Sequence, residues 1–274
     1  MKKYEFTGET KLFFGVTLKR IRALIEIDLG WKIVKPGDLG GWLEKEENLS
    51  HEEKAWVCGD ARVFGNAEVF GNAEVFGNAE VCGDAWVFGN ARVFGNAEVF
   101  GNAEVCGDAR VCGDARVCGD AWVCGDARVC GDARVFGNAE VCGDARVCGD
   151  AWVCGDARVF GNAEVFGNAE VCGDARVFGN ARVCGDAFLS RPEHLLTVGP
   201  AGSRNAFTTF FRNKAGEIKV CCGCFLGTVA QFRNKVKTTH GEGKHAKVYL
   251  AAAALAEMQI DVSPVPDSVE GDEP

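Results

Sequence analysis

Near the C-terminus, Cys222-Gly223-Cys224 is followed, after fifteen intervening residues, by His240 and then His245. Two thiols and two imidazoles are the donor set of a tetrahedral zinc site, so Cys222, Cys224, His240 and His245 are the candidate metal ligands and zinc the candidate cofactor. A single residue between the cysteines is closer than the usual two to four, and the alternative is a Cys-Gly-Cys turn with no metal at all. Cys224 with His240 also has the composition of a nucleophile and its base, but no third group that would orient the imidazole is evident. The segment around them is basic: residues 187–260 carry ten Lys and Arg against four Glu. Arg204, Arg212, Arg233 and Lys235, together with the nearby phenylalanines 207, 210 and 211, are candidates for binding nucleic acid or an acidic protein. A second set of cations is spaced by eighteen: Arg92, Arg110, Arg128 and Arg146. That spacing predicts one column of guanidinium groups, which would bind an anion or an acidic partner or would simply be solvated.

The elements that place these residues follow from a repeat. From Ala55 to Asp186 the chain reads Ala-x-Val-(Cys or Phe)-Gly-(Asp or Asn) for 22 consecutive hexads with no insertion. A strict short period means a solenoid in which each unit touches only its neighbours. Strand alternation puts Ala and Val on one side and x and the Cys/Phe position on the other. The x position holds ten Arg, eight Glu and four Trp, and those charges cannot line a dry interior. Ala and Val therefore face in, and Gly-Asp or Gly-Asn turns the corner. Three hexads close an eighteen-residue coil, and seven such coils would stack to about 35 Å. Ten hexads read Phe-Gly-Asn and twelve read Cys-Gly-Asp, with no mixture. The spacing predicts apolar ladders, with Phe70 under Phe88, Phe160 under Phe178, and Cys112 under Cys130 and Cys148. Asp114, Asp132 and Asp150 form a carboxylate column of the same kind, without the six oxygen ligands that calcium would want.

The repeat resembles the hexapeptide-repeat left-handed parallel β-helix family, in which an aliphatic residue fills each face and a small residue sits two positions earlier. The left hand is implied by that resemblance, since parallel crossovers are otherwise right-handed. Acyl transfer and zinc-dependent hydration are chemistries of that family, and both need histidines on the coils; none lies between Lys54 and Phe188. The segments Arg20–Leu24, Val34–Trp42 and Glu46–Ser50 resemble the N-terminal signature of bacterial YdcK-like hexapeptide proteins and their phage-encoded relatives. The segments Gly199–Asn205 and Cys222–Phe225 are similar to a C-terminal module of phage and prophage proteins. Neither resemblance brings a reaction with it.

The expected architecture is mainly β: a left-handed parallel β-helix with three hexads per coil, an N-terminal cap and a small α+β C-terminal domain. The boundaries are 1–54 for the cap, 55–190 for the β-helix, 191–260 for the module and 261–274 for an acidic, disordered tail. In the cap, residues 4–17 and 18–27 read as strands, and Leu43 and Leu49 fall in register with the inward small position. In the module, strands are expected over 194–198, 207–212 and 217–222, with helices over 228–239 and 245–258.

The net charge is −9, with the hexads acidic and the module basic. The acidic hexads carry about half the charge density of duplex DNA, with arginines interleaved. The N-terminus lacks the apolar core of a signal peptide, and twelve of the fifteen cysteines are one of two choices at a repeat position. A cytoplasmic protein with reduced thiols follows. The expected function is a non-enzymatic scaffold, phage or prophage encoded, that presents its module and its repetitive surface to a protein partner. Homo-oligomerisation through the Phe ridges is expected, and no membrane partner. The alternatives are an inhibitor that binds a host protein or mimics nucleic acid, and an enzyme built on the C-terminal Cys and His residues.

Overall fold

The structure is a computed structural model and describes residues 1–264. It is mainly β, a solenoid of stacked parallel coils with a small antiparallel sheet and two helices near the C-terminus. By internal contacts it divides into two compact units, residues 1–143 and residues 144 onward.

The first unit opens with an antiparallel hairpin, Tyr4–Phe13 against Val16–Ala23, turned at Phe14-Gly15. The break between strands therefore falls earlier than the sequence pattern suggests, because Phe14 and Gly15 both take positive φ. The Leu39–Leu43 strand is the switch from cap to solenoid. It pairs antiparallel with the hairpin through Lys19↔Leu43 and parallel with the first coil through Trp42↔Arg62 and Leu43↔Val63. Leu43 thus stands beside Val63 and Leu49 beside Val69, both at the aliphatic position. That corrects the expected register with the small position. The two-residue offset is taken up between Leu49 and Ala55, where Glu53 adopts φ +54°.

From there each short strand pairs in parallel with the one eighteen residues later, for example Arg62↔Glu80↔Glu98↔Arg116 on one face and Glu74↔Arg92↔Arg110↔Arg128 on another. Every Ala and Val of the hexads is fully buried. The corner glycines all have positive φ. At Gly107 a second reason excludes a side chain: a Cβ there would lie 2.9 Å from the Gly125 nitrogen of the next coil. The corner amides form ladders, with Asn72 Nδ2 donating to Asn90 Oδ1 and Asn90 Nδ2 to Asp108 Oδ1, each at 3.0 Å. Phe70 stacks on Phe88 with ring centroids 4.9 Å apart and planes 3° from parallel, as expected of an in-register parallel ladder.

Within the second unit the coils also pair at eighteen residues, Trp152↔Glu170↔Phe188 and Arg146↔Glu164↔Arg182. Phe160 stacks on Phe178 at 5.6 Å. Pro192 at the start of a short 3-10 turn ends the array. A four-stranded antiparallel sheet follows: Leu195–Ala201, Ala206–Arg212, Ile218–Cys222 and Phe225–Thr228. The last of these strands was not legible in the sequence. Helix α1, Val229–His240, is capped by the Thr228 hydroxyl, which accepts from Gln231 N. Helix α2 spans Lys244–Gln259. Phe210, Val220, Phe232, Tyr249 and Ala253 form the module's core.

The last coil is closed by the Ala206–Arg212 strand and its turn. Arg182 N donates to Thr209 Oγ1 at 3.0 Å, Lys214 N to Asp186 O at 3.0 Å, and Asn213 Nδ2 to Asp186 Oδ2 at 3.0 Å. Of the acidic tail, residues 265–274 lie outside the described residues. Asp261 is within ion-pair distance of Arg191 at 3.6 Å, and the carbonyl of Ser263 accepts from Arg212 Nη2 at 3.3 Å. No helix among the described residues is long and apolar enough to cross a membrane.

Candidate interaction surfaces

Three arrangements of chemically capable side chains stand on this scaffold. The first is the arginine column. Register places Arg92, Arg110 and Arg128 beside one another on one face of the first unit. Arg92 is neutralised by Glu74, whose Oε1 lies 3.1 Å from its Nε. Glu74 itself is buried and accepts the Trp31 indole N–H, so a loop of the cap closes this end of the column. A cavity of about 310 Å³ beside it is lined by Asp28, Lys54, Asn72, Glu74, Arg92 and Asp108, among others. Arg110 and Arg128 are exposed, and among the described residues neither has a carboxylate at salt-bridge distance. Arg146 belongs to the second unit and faces Glu164, 3.9 Å away.

The second arrangement is not among the candidates that the sequence offers. On another face of the first unit, register stacks Glu68, Trp86, Glu104, Trp122 and Glu140 in one column. Acid and indole alternate, and Trp86 and Trp122 are each 45% exposed. Trp86 meets Phe70 edge-on at 6.3 Å, and the Trp122 indole N–H donates to Cys106 Sγ at 3.3 Å. These contacts fix the rings on the surface without covering them. A cavity of about 370 Å³ runs along the column, lined by Asn66, Glu68, Asp84, Trp86, Asn102 and Glu104. From Glu68 to Glu140, within the first unit, every x position of this column is Glu or Trp. The signal was present in the sequence as tryptophans 36 residues apart, but only the eighteen-residue register brings the glutamates between them.

The third arrangement is in the C-terminal module. Cys222, Cys224 and His240 line one cavity of about 160 Å³ together with Arg204, Lys235 and Tyr249; His245 does not line it. The Cys222 thiol accepts a hydrogen bond from Thr208 Oγ1 at 3.2 Å, and Cys224 is exposed at the turn. The His240 ring stacks on Tyr249 at 5.6 Å and meets His245 edge-on at 6.0 Å. Among the described residues no three His, Cys, Asp or Glu side chains converge as a metal site would require. The four zinc candidates therefore do not form one ligand shell.

The module's cations are largely engaged internally. Arg212, expected at the surface, is buried. It donates to Asn213 O at 3.1 Å and lies over the Phe188 ring of the last coil at 5.5 Å, and burial lowers its pKa. Arg233 pairs with Glu257 at 2.6 Å, and Lys219 with Glu217 at 2.8 Å. Arg204 packs against Gly223, and it and Lys235 are the sequence-selected cations that border the cavity.

Comparison with known proteins bears on the repeats alone. No curated protein matches the chain at a significant level. A family model described as the YdcK Beta solenoid repeat matches residues 109–125, 127–143 and 169–185. Those three stretches, two in the first unit and one in the second, are what the chain shares with that family: it is similar there to the YdcK β-solenoid repeat.

Proposed function

We propose that this chain is a non-enzymatic interaction scaffold, encoded by a phage or prophage and acting in the cytoplasm, whose solenoid face engages a basic protein partner. The observation that carries the reading is the Glu68–Trp86–Glu104–Trp122 column, with two half-exposed indoles held in fixed orientations between carboxylates. Large exposed aromatic side chains on a rigid surface are the composition of protein-binding hot spots. Glu68 and Glu104 have no cationic neighbour at salt-bridge distance among the described residues, so a partner's Lys or Arg would find them unneutralised and would lie against the indole faces. The phage or prophage origin is supported by the resemblance of residues 199–205 and 222–225, and the compartment by fifteen cysteines that carry no disulfide.

The test is affinity capture with the intact chain and with a Trp86→Ser, Trp122→Ser double variant of unchanged melting temperature. Proteins retained by the parent and lost with the variant support the reading. Identical retention by both contradicts it.

A further inference from the structure

No disulfide joins the fifteen cysteines, all of which lie among the described residues. Several sit where burial disfavours the thiolate. Burial raises Cys82 and Cys118 to about 11, and burial with the neighbouring thiols Cys142 and Cys106 raises Cys124 to about 12. In two pairs of the second unit one thiol is lowered by its neighbour, Cys172 by Cys154, and Cys221, to about 7, by Cys184, but all four are almost wholly buried. None of these pairs is open to a dissolved reagent.

Cys112 and Cys130 differ from these pairs in exposure. Their strands are neighbours in register, Arg110↔Arg128 and Val111↔Val129, and Cys112 N donates to Val129 O at 2.9 Å. The two cysteines therefore occupy the next paired position, on the outward side. Adjacent strands lie about 4.8 Å apart, within the span of Cα separations that a disulfide bridges. Both thiols are half-buried, so solvent reaches them. Two positions earlier on the same side stand the exposed guanidinium groups of Arg110 and Arg128. A hydrogen bond from the Cys130 thiol and then the charges of these arginines, against the cost of burial, bring Cys112 down to about 7. A thiolate-favouring, accessible cysteine beside a second thiol is the arrangement of a redox-sensing pair.

We propose that Cys112 and Cys130 form a modification site for hydroperoxides, with Cys112 the attacking sulfur and Cys130 the resolving one. The Cys112 thiolate attacks the terminal peroxide oxygen; an S–O bond forms, the O–O bond breaks, and the alkoxide leaves and takes up a proton as the alcohol. Cys130 then attacks the resulting sulfenic sulfur, its thiol proton leaves with the hydroxyl as water, and the S–S bond forms. Two thiols lose two electrons in total, and one hydroperoxide is reduced to alcohol and water. The product staples two adjacent coils on the arginine face.

The experiment uses the reduced full chain, one equivalent of hydrogen peroxide at neutral pH, alkylation of the remaining thiols, and tryptic mass mapping. Cleavage at Arg110, Arg116, Arg128 and Arg134 releases Val111–Arg116 and Val129–Arg134, both with the sequence VCGDAR. The expected product is therefore a symmetric disulfide of two identical peptides, formed before any other linkage. With Cys130→Ser, a dimedone adduct on the remaining VCGDAR peptide is expected; with Cys112→Ser, that peptide stays unmodified. Iodoacetamide should label Cys112 about tenfold faster than Cys118 or Cys124, after allowing for its lower intrinsic nucleophilicity. Oxidation that is spread evenly over the cysteines, or that appears first at Cys154 and Cys172, overturns the proposal. So does an unchanged peroxide reaction in the Cys112→Ser variant. The map of the parent chain decides the matter even if a variant fails to fold.

Discussion

The ammonium of Lys3 lies 2.6 Å from the carbonyl oxygen of Ala55, the first residue of the repeat array. Lys3 is fully buried, and its Nζ also donates to Glu52 O at 3.2 Å. Beside it the Tyr4 hydroxyl donates to Leu49 O at 3.0 Å and Asn48 Nδ2 to Ala67 O at 2.8 Å. The cap thus supplies donors to carbonyl groups that an open first coil would leave unpaired.

Burying an ammonium has a consequence that pH can read. Desolvation pushes Lys3 down to about 8 from 10.5, with Glu53 opposing. Between those values the unfolded chain holds the proton and the folded chain does not, so this group makes stability rise with pH across that window, by about 3 kcal/mol in total. Lys3→Met should remove that rise. Urea melts of parent and variant at pH 7.5 and 10.5 check it, and the difference in stability between the two should shift in the parent's favour at the higher pH.

Val123 faces the interior with no exposed surface, and Arg116 stands on the surface with its Nε 3.3 Å from Glu98 Oε2. Val123→Asp buries an unpaired carboxylate and should cost more than about 3 kcal/mol. Arg116→Ser loses an exposed ion pair and should cost less than about 1 kcal/mol. Paired denaturant curves measure both.

The corners separate two effects of glycine. Gly107 and Gly179 have φ of +69° and +67°, but a Cβ at Gly107 would meet the next coil at 2.9 Å whereas nothing lies within 4 Å of one at Gly179. Gly179→Ala should cost about 1 kcal/mol, for the backbone conformation alone. Gly107→Ala should cost clearly more, because the stacked backbone must also move. Equal costs by equilibrium unfolding would show that coil contact adds nothing.

The parts of this protein that were legible in its sequence are those fixed by local, repeated chemistry. Ala and Val inside, Gly at the corner, and Phe70 on Phe88 all follow from alternation and an eighteen-residue register. Where the period slips, the pattern misleads. Leu43 and Leu49 pair with Val63 and Val69 because the chain spends two extra residues before Ala55, and nothing in the residue types marks that excess. Phe225–Thr228 is too short a strand to show alternation. Arg212 has the composition of a surface cation; it is buried because its strand closes the last coil, a tertiary event. The Glu–Trp column required both the register and the knowledge that Trp86 and Trp122 stay uncovered, whereas Trp56, in the same repeat position, is buried beneath the cap.

The proposed function rests on that column, and one measurement addresses it directly. A photoreactive phenylalanine analogue at position 104, between Trp86 and Trp122, is compared with the same group at position 116 on the face where Arg116 pairs with Glu98. Both full-length chains are irradiated in the cells that express them. A discrete crosslinked protein from position 104 and none from position 116 is the predicted result. Equal crosslinking from the two positions, or none from position 104 while position 116 captures a partner, would contradict a partner-binding role for the Glu–Trp face.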